Sequence, residues 1–391
     1  MRCYRDARRL THGVELGSRL VASAPWKYVG VDPALGEFTK DVLVVPAVSV
    51  RVSPDGIVWP TSTTAARPVS VVLRSEAAAG AAGEVSVEAP TGWTVTPARQ
   101  PFELGGAGVE RTLTFDVGPS GAPAPGDHTL RVTAVREDGR RFDERVTLVD
   151  YDHVPRSPLY EDAEAVVTVV PVTVTDGLRV GYVMGSGDDG PEAIRQMGAV
   201  VELLDEARVR AGAFGDFDAI VLGVRAYEVR PDVRSASAQL LDFARSGGTV
   251  VVQYNRGPLG TLAPSLLEVG RGSPRVADET APVTILAPDA PVFATPNRIG
   301  AADFDGWVQE RGLYFAAEWD DAFTPLLELN DPGEDPAHGA LLVAQVGDGV
   351  FAYTALSFFR QWSERVPGAY RLFANLISLD GDAWRRFAAG R

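Results

Sequence analysis

The sequence predicts two folds in series: an antiparallel, immunoglobulin-like β-sandwich, then an α/β domain built on a doubly wound, mostly parallel sheet. Two observations predict this. Between Asp41 and Asp150 apolar residues recur with a period of two, and from Gly177 the pattern changes to alternating strand and helix. A third observation concerns function. Amphipathic aromatics and both signs of charge crowd into one late stretch, Asn297 to Asp335, which holds Trp307, Gln309, Glu310, Arg311, Tyr314, Glu318, Trp319 and Asp320. Such groups are costly to bury unless paired, so the stretch is either a polar network that specifies the fold or a recognition surface.

Taken in order, residues 1–40 read as the tail of a missing preceding domain. Arg2, Arg5, Arg8 and Arg9 give a basic lead with helical character, and Trp26 to Lys40 reads as the end of a strand pair, which alone is marginal in water. The sandwich occupies 41–150. Val69, Val71 and Leu73 alternate with Ser70, Val72 and Arg74; Val85 and Val87 flank Ser86; Leu113, Phe115 and Val117 share one face; Leu130, Val132 and Ala134 repeat the pattern, and Val146 and Leu148 close it. Pro54-Asp55-Gly56, Pro90-Thr91-Gly92 and Gly121 to Gly126 supply the turns between them. Residues 151–176 form a linker, with an apolar run interrupted by Pro171 that suits an edge strand at most.

The α/β domain spans 177–391. Strands are expected at Leu178 to Met184, Val200 to Leu204, Asp218 to Val224, Thr249 to Tyr254, Val283 to Leu286, Ala340 to Val346 and Val350 to Ala355. Helices are expected at Glu192 to Met197, with Pro191 at the first position, and at Ser235 to Arg245, stopped by Gly247-Gly248. The last strong element is a helix from Ala369 to Leu379.

Composition narrows the partners. A net charge of −15 leaves no basic stripe for phosphates, so no nucleic-acid partner is expected. No apolar run reaches the roughly 18 residues of a membrane span. The start lacks the apolar core of a secretory signal, so no export address is read in this chain. Cys3 is the only cysteine, and His12, His128, His153 and His338 lie at no metal-ligand spacing, so neither a thiolate zinc site nor a bound cofactor is expected.

Candidate chemistry sits after the parallel strands, where ligands of open α/β sheets bind. In the loop Gly223 to Glu228, Arg225 can clamp a carboxylate or a sugar hydroxyl, with Tyr227 and Glu228 beside it; equally, Arg225 can pair with Glu228 or with an acid of the Trp307 segment and hold the loop. Tyr254 and Asn255 end the next strand near the same crevice. The Gly306 to Arg311 segment, with Trp307, Gln309, Glu310 and Arg311, is expected against these loops, through Glu310 with Arg225 or Arg311 with Glu228. No thiol and no Gly-x-Ser-x-Gly elbow is present here, and His338 is the domain's one histidine, so triad chemistry has no support. Gly185-Ser186-Gly187 lacks the phosphate-loop spacing and reads as a turn before a helix. The acids Asp303, Asp305, Glu310, Asp320, Asp321, Asp331, Glu334 and Asp335 match no calcium-loop signature, and Asp331-Pro332-Gly333 reads as a turn.

Two resemblances add to this. Gly92-Trp93-Thr94-Val95-Thr96-Pro97, Arg111 to Val117 and Pro125-Gly126-Asp127-His128 resemble the accessory β-sandwich found beside carbohydrate-binding modules in α-galactosidases. Tyr182 to Asp188, Gly223 to Arg230, Val251 to Asn255, Asp303 to Phe315, Asn330 to Glu334 and Phe358-Phe359-Arg360-Gln361 resemble the C-terminal region of long LmbE/PIG-L-type N-acetylglucosaminyl deacetylases. That resemblance runs from about Trp26 to Leu379 and adds Arg360 to the candidate residues. It implies a flavodoxin-like domain of class I glutamine amidotransferase or ThuA-like type, matched in its late strand by Gly349 to Leu356, and an exported parent. The zinc-binding His-Pro-Asp-Asp motif of those deacetylases is absent here, so the expectation is a non-catalytic accessory part that positions glycan or packs against a deacetylase catalytic domain. The alternative is a ThuA-like carbohydrate-active enzyme using the crevice carboxylates.

Overall fold

A computed structural model describes residues 9–15, 19–25, 27–34, 36–151, 153–154, 156–270 and 272–390. The chain divides into two compact units. The first takes Met1–Asp55, Ala65–Ser120 and Thr129–Val166; the second takes Gly56–Thr64, Gly121–His128 and Val167–Arg391.

The first unit is a β-sandwich-like domain. One sheet has the order Val48–Ser53, Arg67–Ser75, Glu110–Pro119, Trp93–Thr96, every pair antiparallel. A second set pairs Arg99–Leu104 with Ala81–Glu88, and Ala81–Glu88 with Gly126–Arg136, again antiparallel. The period of two has its physical cause here. Val69, Val71 and Leu73 are buried, as are Leu113, Phe115 and Val117, while Arg74, Thr112, Thr114 and Asp116 face out. Each such aliphatic side chain contributes roughly 1.5–3 kcal/mol through burial. Val146 and Leu148 are only half-buried, on a strand Glu144–Val149 that pairs with Ser157–Asp162.

Two hairpins lie at the start: Arg9–Glu15 with Arg19–Pro25, and Lys27–Asp32 with Gly36–Asp41. Arg2, Cys3, Arg5, Arg8 and Trp26 lie outside the described residues. Arg9 opens a strand and not a helix, which corrects the helical reading of this lead at the one arginine the structure describes. Among the described residues no helix is long and apolar enough to cross a membrane.

The second unit is organised by a seven-stranded sheet in the order Val200–Leu203, Arg179–Val183, Ala219–Leu222, Thr249–Gln253, Gly349–Thr354, Leu341–Val346, Phe323–Pro325. The first five are mutually parallel, Leu341–Val346 runs antiparallel to Gly349–Thr354, and Phe323–Pro325 antiparallel to Leu341–Val346. Ala219–Leu222, Thr249–Gln253 and Gly349–Thr354 are buried along their whole length, because packing covers both faces of the central strands. The helix Gly190–Met197 carries Pro191 in its first turn and ends on Gly198, whose φ of 102° closes the left-handed cap. Ser237–Arg245 and Pro367–Ile377 follow, the latter opened by its proline. A further helix, Gly381–Ala389, extends beyond the element expected to be last, with Asp380 capping it through Ala383 N at 2.7 Å. The connector strand Glu164–Val170 stops at Pro171, which has no N–H for a ladder.

Candidate functional site

Three neighbouring parallel strands deliver the candidate residues. Ala219–Leu222, Thr249–Gln253 and Gly349–Thr354 end together, so the segments 223–228, 254–256 and 355–360 emerge at one end of the sheet. The first two are tied directly: Arg225 N donates to Tyr254 O at 2.9 Å. Arg225 adopts a left-handed conformation, φ 59°, from which its carbonyl accepts Glu228 N at 2.9 Å and starts the short helix Ala226–Val229.

The side chains form two ion clusters. In one, Arg225 donates to Glu228 Oε2 through Nε and Nη2 at 3.2 and 3.1 Å. Arg256 adds its backbone N–H to Glu228 Oε1 and its Nε to Oε2 at 3.3 Å. Burial alone would raise the Glu228 pKa, but the Arg256 N–H and the guanidiniums of Arg225 and Arg256 outweigh it and hold the carboxyl below its usual range. In the other, Arg360 donates Nε and Nη2 to Glu310 Oε1 at 2.8 and 2.7 Å, and Arg275 Nη2 reaches Oε2 at 2.8 Å. Arg360 Nη1 also donates to Gln309 Oε1, and the Gln309 N–H donates to Glu279.

Aromatic rings connect the clusters. Tyr254 stacks on Tyr314 with ring centroids 5.9 Å apart and packs against Phe359 at 5.6 Å; the Arg360 guanidinium lies 5.0 Å over the Phe359 ring. Burial raises the Tyr254 pKa while Arg225, Arg360 and Arg256 oppose that rise. The Asn255 amide donates to Gln253 O at 2.9 Å. Tyr227 is buried at the loop's base, its carbonyl accepting Arg234 Nη1 at 2.7 Å.

The structure thus brings Arg225, Glu228, Tyr254, Gln309, Glu310 and Arg360 together, and Arg225 pairs with Glu228, one of the two alternatives for that loop, but the pairs expected between the two segments do not form. Glu310 takes Arg360 and Arg275 in place of Arg225, and Glu228 takes Arg225 and Arg256 in place of Arg311. Trp307 is core: its Nε1 donates to Asp303 O at 3.0 Å and its ring packs on Phe304 and Phe358. Arg311 is buried as well, donating to the carbonyls of Ala281 (2.9 Å) and Phe304, and burial lowers its pKa. Sequence reasoning missed Arg256 and Arg275. Arg256 directly follows Asn255, which was the available signal; Arg275 lies 35 residues from Glu310 and had none.

Behind the site, Asp188 closes the strand ends by accepting Val224 N at 3.1 Å and Gly190 N at 2.9 Å. Gly185 lies so close to this loop that a Cβ would meet Val224 O at 2.0 Å, which explains the Gly185-Ser186-Gly187 turn without an anion. The late acids serve local structure: Asp331 accepts Ala277 N and Asp278 N at 2.9 and 2.8 Å, and Asp303 pairs with Arg371 at 2.7 Å. Among the described residues no three His, Cys, Asp or Glu side chains stand close enough to hold a metal ion.

Residues 60–136 match the family described as the NPCBM-associated, NEW3 domain of α-galactosidase. No curated protein matches the chain. Among solved structures, the cold-adapted β-galactosidase from Rahnella sp. R3 is similar at 14% identity and a TM-score of 0.32, covering 50% of this chain and 30% of that one. The Escherichia coli chaperone DraB is similar at 14% identity and a TM-score of 0.19, covering 32% of this chain and 55% of that one. The chain therefore spans 30% of the length of that β-galactosidase.

Proposed function

We propose that this chain is a non-catalytic accessory protein of glycan processing, the accessory region of a LmbE/PIG-L-type N-acetylglucosaminyl deacetylase that positions glycan for the catalytic domain. The match of residues 60–136 to the α-galactosidase-associated domain carries the glycan part of this reading. The deacetylase part rests on the sequence resemblance. In this reading the sandwich 41–150 and a flavodoxin- or amidotransferase-like domain 177–391 are the working modules, joined by 151–176. The parallel strands that end together at Leu222, Gln253 and Thr354 support the second assignment.

The site's chemistry supports an accessory role over a hydrolytic one. A general acid at neutral pH needs a raised carboxyl pKa, and Glu228 is shifted the other way by its arginines. Glu310 is enclosed between two guanidiniums and a buried backbone. These carboxylates hold arginine side chains in place.

The test is to titrate the purified chain with oligosaccharides of N-acetylglucosamine and of galactose while following acetate release with and without zinc. Saturable binding with no acetate released is the expected result. Chelator-sensitive acetate release from clean protein would overturn the accessory reading.

A further inference from the structure

We propose that the strand ends around Tyr254 form a binding site for an acidic saccharide, a sugar that carries a carboxylate or a sulfate. This deepens the glycan reading above and rests on it.

The first support is the arrangement of charge. Each carboxylate is shared by two guanidiniums, and in each cluster the carboxylate lies inside. The Glu310 side chain is 3% exposed while Arg275 is 62% exposed, and Glu228 is 21% exposed while Arg256 is 49% exposed. Arg275 reaches its carboxylate through Nη2 alone and Arg256 through Nε for its side chain, so donors remain on the solvent side of both. Four guanidiniums, of Arg225, Arg256, Arg275 and Arg360, stand against three carboxylates, of Glu228, Glu310 and Glu279. A local excess of positive charge, in a chain of net charge −15, suits a bidentate oxyanion.

The second support is an aromatic surface. The half-buried Tyr314 ring, stacked on Tyr254, offers a platform for the apolar face of a sugar.

The third support is backbone strain. Four described non-glycine residues have positive φ, and three of them, Arg225, Gln309 and Tyr314, belong to this one site. Strain of this kind persists where the surroundings fix it, and it gathers at ligand clamps. The patch is confined to one end of the sheet, which favours a ligand with one or a few anionic groups over a nucleic acid.

The experiment titrates the full chain with trigalacturonate, galactose 6-sulfate, uncharged galactotriose and a short single-stranded DNA. A double variant, Arg256→Ala with Arg275→Ala, is titrated in parallel. At least one of the two acids is expected to bind, the uncharged sugar at least tenfold more weakly, and their ratio separates carboxylate from sulfate recognition. The double variant is expected to lose about tenfold in affinity, the scale of one charge-assisted hydrogen bond, and to stay folded with a lowered melting temperature, since Glu310 keeps Arg360 and Glu228 keeps Arg225. If it unfolds, Arg256→Gln alone is used, with a weaker loss expected. Binding of galactotriose as tight as that of the acids would overturn this inference and leave the glycan reading standing. Absence of binding by every saccharide would overturn both. Tighter binding of DNA than of either acid, or unaltered acid affinity in the folded variant, would also overturn it.

Discussion

The Tyr182 hydroxyl donates to Asp188 Oδ1 at 2.5 Å and accepts Gln253 Nε2 at 2.9 Å. This bond links the first parallel strand to the loop after it and to the central strand. Asp188 in turn accepts the N–H groups of Gly190 and Val224. A Cβ on Gly190 would meet the same hydroxyl at 2.4 Å, so the glycine is set by this close approach. Tyr182→Phe keeps the ring and removes the donor, leaving Asp188 and Gln253 short of a partner. The expected loss is about 1–3 kcal/mol of unfolding free energy, read by chemical denaturation. An unchanged midpoint would show that the relay contributes nothing.

The same tyrosine predicts a pH dependence. Burial, then the Asp188 charge, pushes the Tyr182 pKa well above its ordinary value, and burial also raises Tyr353 and Tyr370. In the unfolded chain these hydroxyls ionise near pH 10. Above that pH the unfolded state has lost protons that the folded state still holds, so unfolding becomes easier. Stability is expected to be insensitive to these groups below about pH 10 and to fall steadily above it. Melting temperatures between pH 8 and 11 check this, and Tyr182→Phe should flatten part of the fall.

Glu310 is the anchor of the second cluster. Glu310→Ala removes the buried carboxylate from Arg360 and Arg275 and opens the bond from Arg360 to Gln309 to rearrangement. Breaking a buried pair costs roughly 3–5 kcal/mol, and the partial exposure of both arginines places this case at or below the lower end. Glu310→Gln should cost less, since the amide oxygen still accepts one guanidinium. Equilibrium unfolding of both variants, with Arg360→Ala for a double-mutant cycle, measures the coupling; additivity would mean that the pair is not coupled.

How much of this was legible in the sequence depends on the range of the interaction. Val69, Val71 and Leu73 declare their strand because alternation is local, and the structure buries all three. Pro191 marks a helix start for the same reason, whereas the helix expected from Ala369 starts at Pro367. The Asn297 to Asp335 stretch was legible as a place where polar groups must be satisfied, but not as to how. Trp307 and Arg311 find backbone carbonyls of Asp303, Ala281 and Phe304, and a carbonyl has no residue identity to read. Glu310 finds Arg275 and Arg360, 35 and 50 residues away, and only the strand order makes them neighbours. Arg225 with Glu228, three residues apart, was the pair that local spacing could offer.

The final prediction concerns where the second unit ends. A cut in the connector between Asp150 and Gly177 separates residues 177–391 from Gly56–Thr64, which belong to the same compact unit. The strand Gly56–Pro60 lies against the helix Gly190–Met197, and Val58 N donates to the buried Gln196 Oε1 at 2.8 Å. Val58 itself is wholly buried in the second unit's core. A 177–391 fragment therefore exposes one face of that helix and leaves Gln196 without its backbone donor. Loss of the bond and of one buried valine together amounts to roughly 2–4 kcal/mol. The fragment is expected to fold, because the seven-stranded sheet is intact within it, but to melt lower than the full chain. Adding back a strand on the fragment through a short linker, in the sequence of residues 56–64, should recover part of the difference. Calorimetry of the fragment, the linked fragment and the full chain decides it, and equal melting temperatures for all three would show that this strand adds nothing to the unit it packs on.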